Sequence, residues 1–280
     1  MTRPLRVAAV QLRCGIDAAA NLAHALPLLR EAASAGAQLI VTPENTLRLD
    51  RDRERLLAAV NSSETDTEIQ RWAHLAQQLG VWLLMGSAGI AATPGKIFNR
   101  SLLFGPDGHL AAHYDKIHLF DVQLDNGESY CESATVQAGE QIVIARGPAD
   151  ARLGLTICYD LRFPHLYGAL AQGGAEIITI PAAFTYTTGQ AHWNTLIRAR
   201  AIETGAFIVA PAQGGRHEDG RTTWGHSLIV DPWGQIIAQL EHNEPGVLVA
   251  DLDLDRVATT RAKIPAWRGT ATMPLNPPVK

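Results

Sequence analysis

Leu153-Gly154-Leu155-Thr156-Ile157-Cys158-Tyr159-Asp160-Leu161-Arg162-Phe163-Pro164 is an apolar run that ends on a thiol and passes into a turn. A strand that delivers a cysteine to a turn, with a helix expected beyond it, is an α/β unit holding a nucleophile at the mouth of a sheet. The reactive form of cysteine is the thiolate, and a free thiol has a pKa of about 8.5. Cys158 therefore needs a base or a positive field. Two other strand ends offer them: Leu39-Ile40-Val41-Thr42-Pro43 leads to Glu44, and His113-Tyr114-Asp115 leads to Lys116. Taken singly, each residue is ordinary. A lone cysteine after a strand is usually a small buried hydrophobe, a lone glutamate a loop carboxylate or cap, a lone lysine a solvated charge. Spacing does not by itself bring the three together.

Outward from this stretch, strand-like runs alternate with helical ones. Strands are expected at 7–12, 37–42, 81–86, 142–145, 153–157, 176–180, 206–210 and 247–252. Two further pairs, 98–104 with 109–114 and 227–230 with 235–239, flank the turn signals Gly105-Pro106-Asp107-Gly108 and Asp231-Pro232-Trp233-Gly234. Helices are expected at 19–35, 68–79, 165–172 and 192–204, with a kink or early break at Pro27. This mixture suits a mixed sheet, or two stacked sheets, covered by helices. With no linker, repeat or low-complexity block, residues 1–280 read as one domain, with 263–280 a proline-containing C-terminal arm. The longest stretch without a clear pattern, 120–140, is long enough for a functional loop.

The 280 residues are 46% apolar and 19% charged, with a net charge of −4. That is a globular composition, and it argues against a nucleic-acid surface, which needs clustered cations. Arg48, Arg51, Arg53 and Arg55 are interleaved with Asp50, Asp52 and Glu54, and the run reads as a solvated segment. No stretch approaches the roughly 18 apolar residues of a membrane span, and the first residues contain no signal-like apolar core. Three cysteines without metal-ligand spacing, and histidines without a zinc motif, leave no metal or cofactor expected. A reduced, cytoplasmic setting is the expectation.

Together the strand ends resemble the nitrilase superfamily of carbon–nitrogen hydrolases, whose signature is a Glu–Lys–Cys triad. Val7-Ala8-Ala9-Val10-Gln11-Leu12 is similar to the family's first strand, Thr42-Pro43-Glu44-Asn45 to its glutamate motif, and Tyr114-Asp115-Lys116-Ile117-His118-Leu119-Phe120-Asp121 to its lysine motif. The stretch from Leu155 to Pro164 is similar to its nucleophile motif, and the likeness covers nearly the whole chain. The resemblance implies an α-β-β-α sandwich and a homodimer or higher homo-oligomer, meeting through the helices 165–172 and 192–204. It also implies Glu44 as general base, Lys116 as proton donor and oxyanion stabiliser, Cys158 as nucleophile, and the Tyr159 backbone N–H as a second oxyanion donor. A second glutamate is expected from the loop after the lysine, with Glu132 favoured over Glu128.

Within the family, the details resemble the Nit subgroup. Tyr159 stands where nitrile-hydrolysing members carry tryptophan, which points to amides. The implied substrate is a small carboxylate-bearing amide: deaminated glutathione, releasing 2-oxoglutarate and cysteinylglycine. The alternatives are 2-oxoglutaramate or another short-chain amide, as for an ω-amidase, and a non-catalytic binding or scaffold protein. Arg162 and Arg216 are candidate carboxylate ligands, because bidentate pairing favours arginine. Phe184, Tyr186 and Thr187 are candidate pocket residues.

Overall fold

The computed structural model describes residues 3–60, 66–123, 127 and 129–269. Two six-stranded sheets dominate it. The first runs in the order Gly246–Asp253, Pro4–Gln11, Leu39–Val41, Trp82–Ala91, Ile97–Phe104, Leu110–Asp115, and the second Ile236–Gln239, Leu228–Val230, Phe207–Ala210, Ile177–Thr179, Arg152–Leu155, Ile144–Arg146. Each has parallel strands at its centre and antiparallel strands outside them.

Side-chain alternation along the strands divides the core into layers. In the first sheet Val7, Ala9, Leu39, Val41, Leu84 and Leu103 face the second sheet. Their neighbours Ala8, Val10, Ile40, Leu83, Met85 and Leu102 face Ala25, Leu29, Ala32, Ile69, Trp72 and Leu75, on the helices Ala18–Ser34 and Thr67–Leu79. This is the period-2 consequence of a sheet covered on both faces. The central strands of the second sheet are buried throughout, which is why Ile177-Ile178 and Phe207-Ile208-Val209 read as unbroken apolar runs. Leu166, Tyr167 and Leu170 on Pro164–Gln172, with Trp193, Ile197 and Ala201 on Tyr186–Thr204, belong to that same core. The result is the expected helix–sheet–sheet–helix sandwich.

Several local expectations are corrected. The helix Ala18–Ser34 runs through Pro27 without a break. Proline removes one backbone hydrogen bond there, and buried Ala25, Leu29 and Ala32 hold both sides of the gap. The helix expected from 192 begins at Tyr186, where the Thr185 hydroxyl caps Thr188 N. The unpatterned stretch 120–140 contains a hairpin, Asp121–Gln123 with Ser129–Cys131, and a short turn at Glu132–Ala134. Arg53–Ala58 is a short helix capped by Asp52. Asp255–Lys263 is a helix and Pro265–Arg268 a 3-10 turn, so the start of the expected arm is not extended. That turn is held by Gln172 Nε2 on Arg268 O at 3.1 Å and by Arg261, whose guanidinium lies 5.0 Å from the Trp267 ring. Residues 270–280 lie outside the described part.

Candidate active site

Three strands end at one point. Glu44 follows Leu39–Val41, Cys158 follows Arg152–Leu155, and Lys116 follows Leu110–Asp115. The carboxyl ends of parallel strands are where open α/β sheets place their ligand sites. Here the two sheets bring Glu44, Lys116 and Cys158 into the wall of one cavity of about 410 Å³.

Asp160 fastens the turn that carries Cys158 to the lysine segment. It is fully buried, and its Oδ2 accepts from Ile157 N at 2.9 Å and Tyr114 Oη at 2.7 Å. Its Oδ1 accepts from His118 N at 3.0 Å and contacts His118 Nδ1 at 2.7 Å. One carboxylate thus spans Cys158 and Lys116. Cys158 itself has φ +48°, in the left-handed region that costs a non-glycine residue roughly 1–2 kcal/mol, and Cys158 N donates to Pro181 O at 2.9 Å. Backbone held in such a conformation marks a constrained site.

The charges form a buried chain. Lys116 Nζ donates to Glu44 Oε1 at 2.8 Å and to both carboxylate oxygens of Glu132, at 3.0 and 2.9 Å. Ala183 N donates to Glu44 Oε2 at 3.0 Å, and Phe120 N to Glu132 Oε2 at 2.6 Å. The Asn99 amide bridges the two acids, reaching Glu44 Oε1 at 2.9 Å and Glu132 Oε1 at 3.2 Å, while its own oxygen is buried without a partner among the described residues. Glu128, the other candidate second glutamate, lies outside the described residues.

Protonation states follow from this arrangement. Burial alone would raise the Glu44 carboxyl. The Lys116 ammonium and hydrogen bonds from Cys158, Lys116 and Asn99 outweigh it and hold Glu44 below the usual carboxylate range. Burial would lower the Lys116 ammonium, but Glu132 and Glu44 push it well above its ordinary value. Burial and the adjacent Glu44 carboxylate push the Cys158 thiol well up, against the opposing pull of Lys116. At neutral pH the site therefore rests as thiol, carboxylate and ammonium, with the Glu44 carboxylate acting on the thiol from close by. Of the other cysteines, Cys14 is buried with its thiol pushed up to about 12 by burial, and Cys131 is exposed.

Tyr159 and Phe184 line the cavity, with Thr185 and Thr188, whereas Tyr186 and Thr187 fall outside its lining. Arg162 is also outside the lining; its guanidinium sits 5.4 Å from the Phe184 ring and 3.3 Å from His192 Nδ1. Arg216 is exposed on Gly214–Arg216 and does not line the cavity. Arg51 and Arg53 are exposed, as expected of a solvated segment, and with half-buried Arg48 and with Arg221 they also stand in the cavity wall. Asn99 and Asp160 carry much of the site's geometry, and neither is among the residues expected at the site from the sequence. The clue for Asp160 was a carboxylate two residues after the cysteine; Asn99, inside an apolar strand, gave only a polar residue at an inward position.

Replacing Asn99 with alanine removes two hydrogen bonds to charged groups, each worth about 1.5–3 kcal/mol. We expect kcat to fall about tenfold to a hundredfold with a smaller change in KM, and Asn99→Asp to be worse at neutral pH because it adds a third carboxylate. Steady-state kinetics across pH test this; unchanged kcat in both variants would contradict it.

The carbon-nitrogen hydrolase family profile matches residues 6–262. A deaminated glutathione amidase of Synechocystis sp. is 39% identical over 94% of this chain and 97% of its own. The C. elegans NitFhit protein superposes with a TM-score of 0.85 at 31% identity, over 95% of this chain and 65% of that longer one. A single-residue mutant of an amidase from Nesterenkonia sp. AN1, TM-score 0.77 and 28% identical over 93% of this chain and 95% of its own, carries the acetamide moiety of fluoroacetamide added covalently at its active site cysteine. With the sandwich fold and the site in place, these likenesses establish that the chain belongs to the carbon-nitrogen hydrolase family and is a hydrolase of the amidase type.

Proposed function

We propose that the protein hydrolyses deaminated glutathione to 2-oxoglutarate and cysteinylglycine through a thioester on Cys158. The observation that carries this reading is the arrangement around the thiol: Cys158 and ionised Glu44 share one cavity wall, with Lys116 locked between Glu44 and Glu132. As Cys158 Sγ attacks the amide carbonyl, its proton passes to Glu44. The oxyanion forms against Lys116 Nζ and the Tyr159 N–H, donors set before the charge develops. When the C–N bond breaks, the departing amine takes the proton from Glu44. Water then attacks the thioester, giving its proton to Glu44, and the released sulfur recovers that proton. Glu132 holds Lys116 on the reacting side.

The substrate assignment follows the chemistry named for the Synechocystis relative. We also infer a cytoplasmic, single-domain enzyme working as a homo-oligomer. Exposed Ile202 and Trp233, at 51% and 55%, on and beside the helix Tyr186–Thr204, support that assembly. Among the described residues no helix is long and apolar enough to cross a membrane.

Specificity constants for deaminated glutathione, 2-oxoglutaramate and a simple nitrile test the assignment. We expect the first to be highest and the nitrile not to turn over; dominant turnover of 2-oxoglutaramate would reverse the substrate reading.

A further inference from the structure

The cavity wall contains arginines that no chemical step uses. Arg48, Arg51, Arg53 and Arg221 line it, and apart from the Glu44–Lys116–Glu132 chain the sole described carboxylate in the lining is Asp50. Asp50 is already satisfied: Arg55 clamps it with bonds of 2.5 and 2.7 Å. Arg221 is paired with buried Asp219 at 2.6 Å. The other three keep their charge. Arg48 donates to the neutral Ile16 carbonyl at 3.2 Å and Arg53 to the neutral Gly95 carbonyl at 3.1 Å. Arg51 makes no hydrogen bond or ion pair with any described residue.

Three uncompensated guanidiniums in one concave wall are notable in a chain of net charge −4. A guanidinium has five N–H donors in a fixed fork, and a carboxylate is the acceptor that matches it. The cavity, about 410 Å³, falls in the range that encloses ligands much larger than a five-carbon primary amide. The proposed substrate carries one of its two carboxylates on the departing cysteinylglycine, and a cavity of about 410 Å³ leaves room for that group beyond the acyl portion.

We propose that Arg48, Arg51 and Arg53 form a carboxylate subsite for the leaving amine, so that the enzyme selects amides whose departing amine is an amino acid or short peptide with a free carboxylate. This rests on the amidase reading above and sharpens it: the carboxylate end of the departing group, and not the acyl group alone, sets the preference.

Binding to the Cys158→Ala protein, measured by calorimetry, reads the subsite without turnover. The probes are deaminated glutathione and the same compound with its glycine carboxylate converted to the amide. An unmade charge-assisted pair costs about tenfold to a hundredfold in affinity, so the acid should bind tighter by that factor. Adding Arg51→Met should collapse the ratio towards one, and Arg51→Lys should keep part of it. Equal affinity for acid and amide, no binding of either, or a ratio unchanged by Arg51→Met together with Arg48→Met would overturn the subsite. Wild-type turnover separates the two claims: hydrolysis with equal binding defeats the subsite alone, while selective binding without hydrolysis defeats the activity.

Discussion

Lys116→Met is expected to abolish turnover and to lower the unfolding free energy by about 3–5 kcal/mol at neutral pH, the cost of leaving buried charge without its partner. Lys116 is 2% exposed and stands between Glu44 and Glu132, and no other cation touches either acid among the described residues. Its removal leaves two carboxylates sharing the Asn99 amide. The pH dependence should change sign. In the native protein the Glu44 carboxyl is held low, so its contribution is present above the unfolded carboxyl pKa, about 4.3, and is lost as pH falls through the lower folded value. In the variant, burial and the facing Glu132 raise that carboxyl instead, and acidification neutralises the repulsion. Lys116→Met should therefore gain stability on going from pH 8 to pH 5, while the native protein does not. Denaturant titrations at the two pH values decide this; parallel pH profiles would remove Lys116 from the electrostatic centre of the site.

The second large effect separates chemistry from folding. Cys158→Ala should lose roughly four or more orders of magnitude in kcat, as expected for removal of a nucleophile, with little change in unfolding midpoint. Cys158→Gly should be equally inactive and at least as stable, because glycine accepts φ +48° without the roughly 1–2 kcal/mol cost that an L side chain bears there. An inactive protein more stable than the active one would show that the strain at 158 is retained for the sulfur. If both variants were instead destabilised by several kcal/mol, Cys158 would be chiefly a packing residue, as its 8% exposure also allows.

The sandwich was legible because buried strands leave a direct trace: Leu153–Leu155, Ile177–Thr179 and Phe207–Ala210 are short apolar runs bounded by turn residues. Glu44, Lys116 and Cys158 stood out because each ends such a run. What escaped notice depends on tertiary context. Arg48 to Arg55 alternate with acids, a pattern that fits a solvated segment, but burial of Leu47 and Leu49 turns the segment back over the cavity. Tyr186-Thr187-Thr188-Gly189 has little helix propensity. It begins a helix because Thr185 caps it and because Gly189 lets Trp224 approach: a Cβ there would lie 2.3 Å from that of Trp224. Asn99 acts on partners 33 and 55 positions away, and Asp160, besides its local bond from Ile157 N, on Tyr114, 46 positions away, distances at which no local pattern speaks.

During turnover the acyl group is expected to rest on Cys158. Intact-protein and peptide mass spectrometry of acid-quenched enzyme, mixed with deaminated glutathione, tests it directly. A 2-oxoglutaryl mass increment is expected on the peptide containing Cys158 and absent from Cys158→Ala. An adduct on Cys14 or Cys131 with none on Cys158, or hydrolysis that persists in Cys158→Ala, would contradict it.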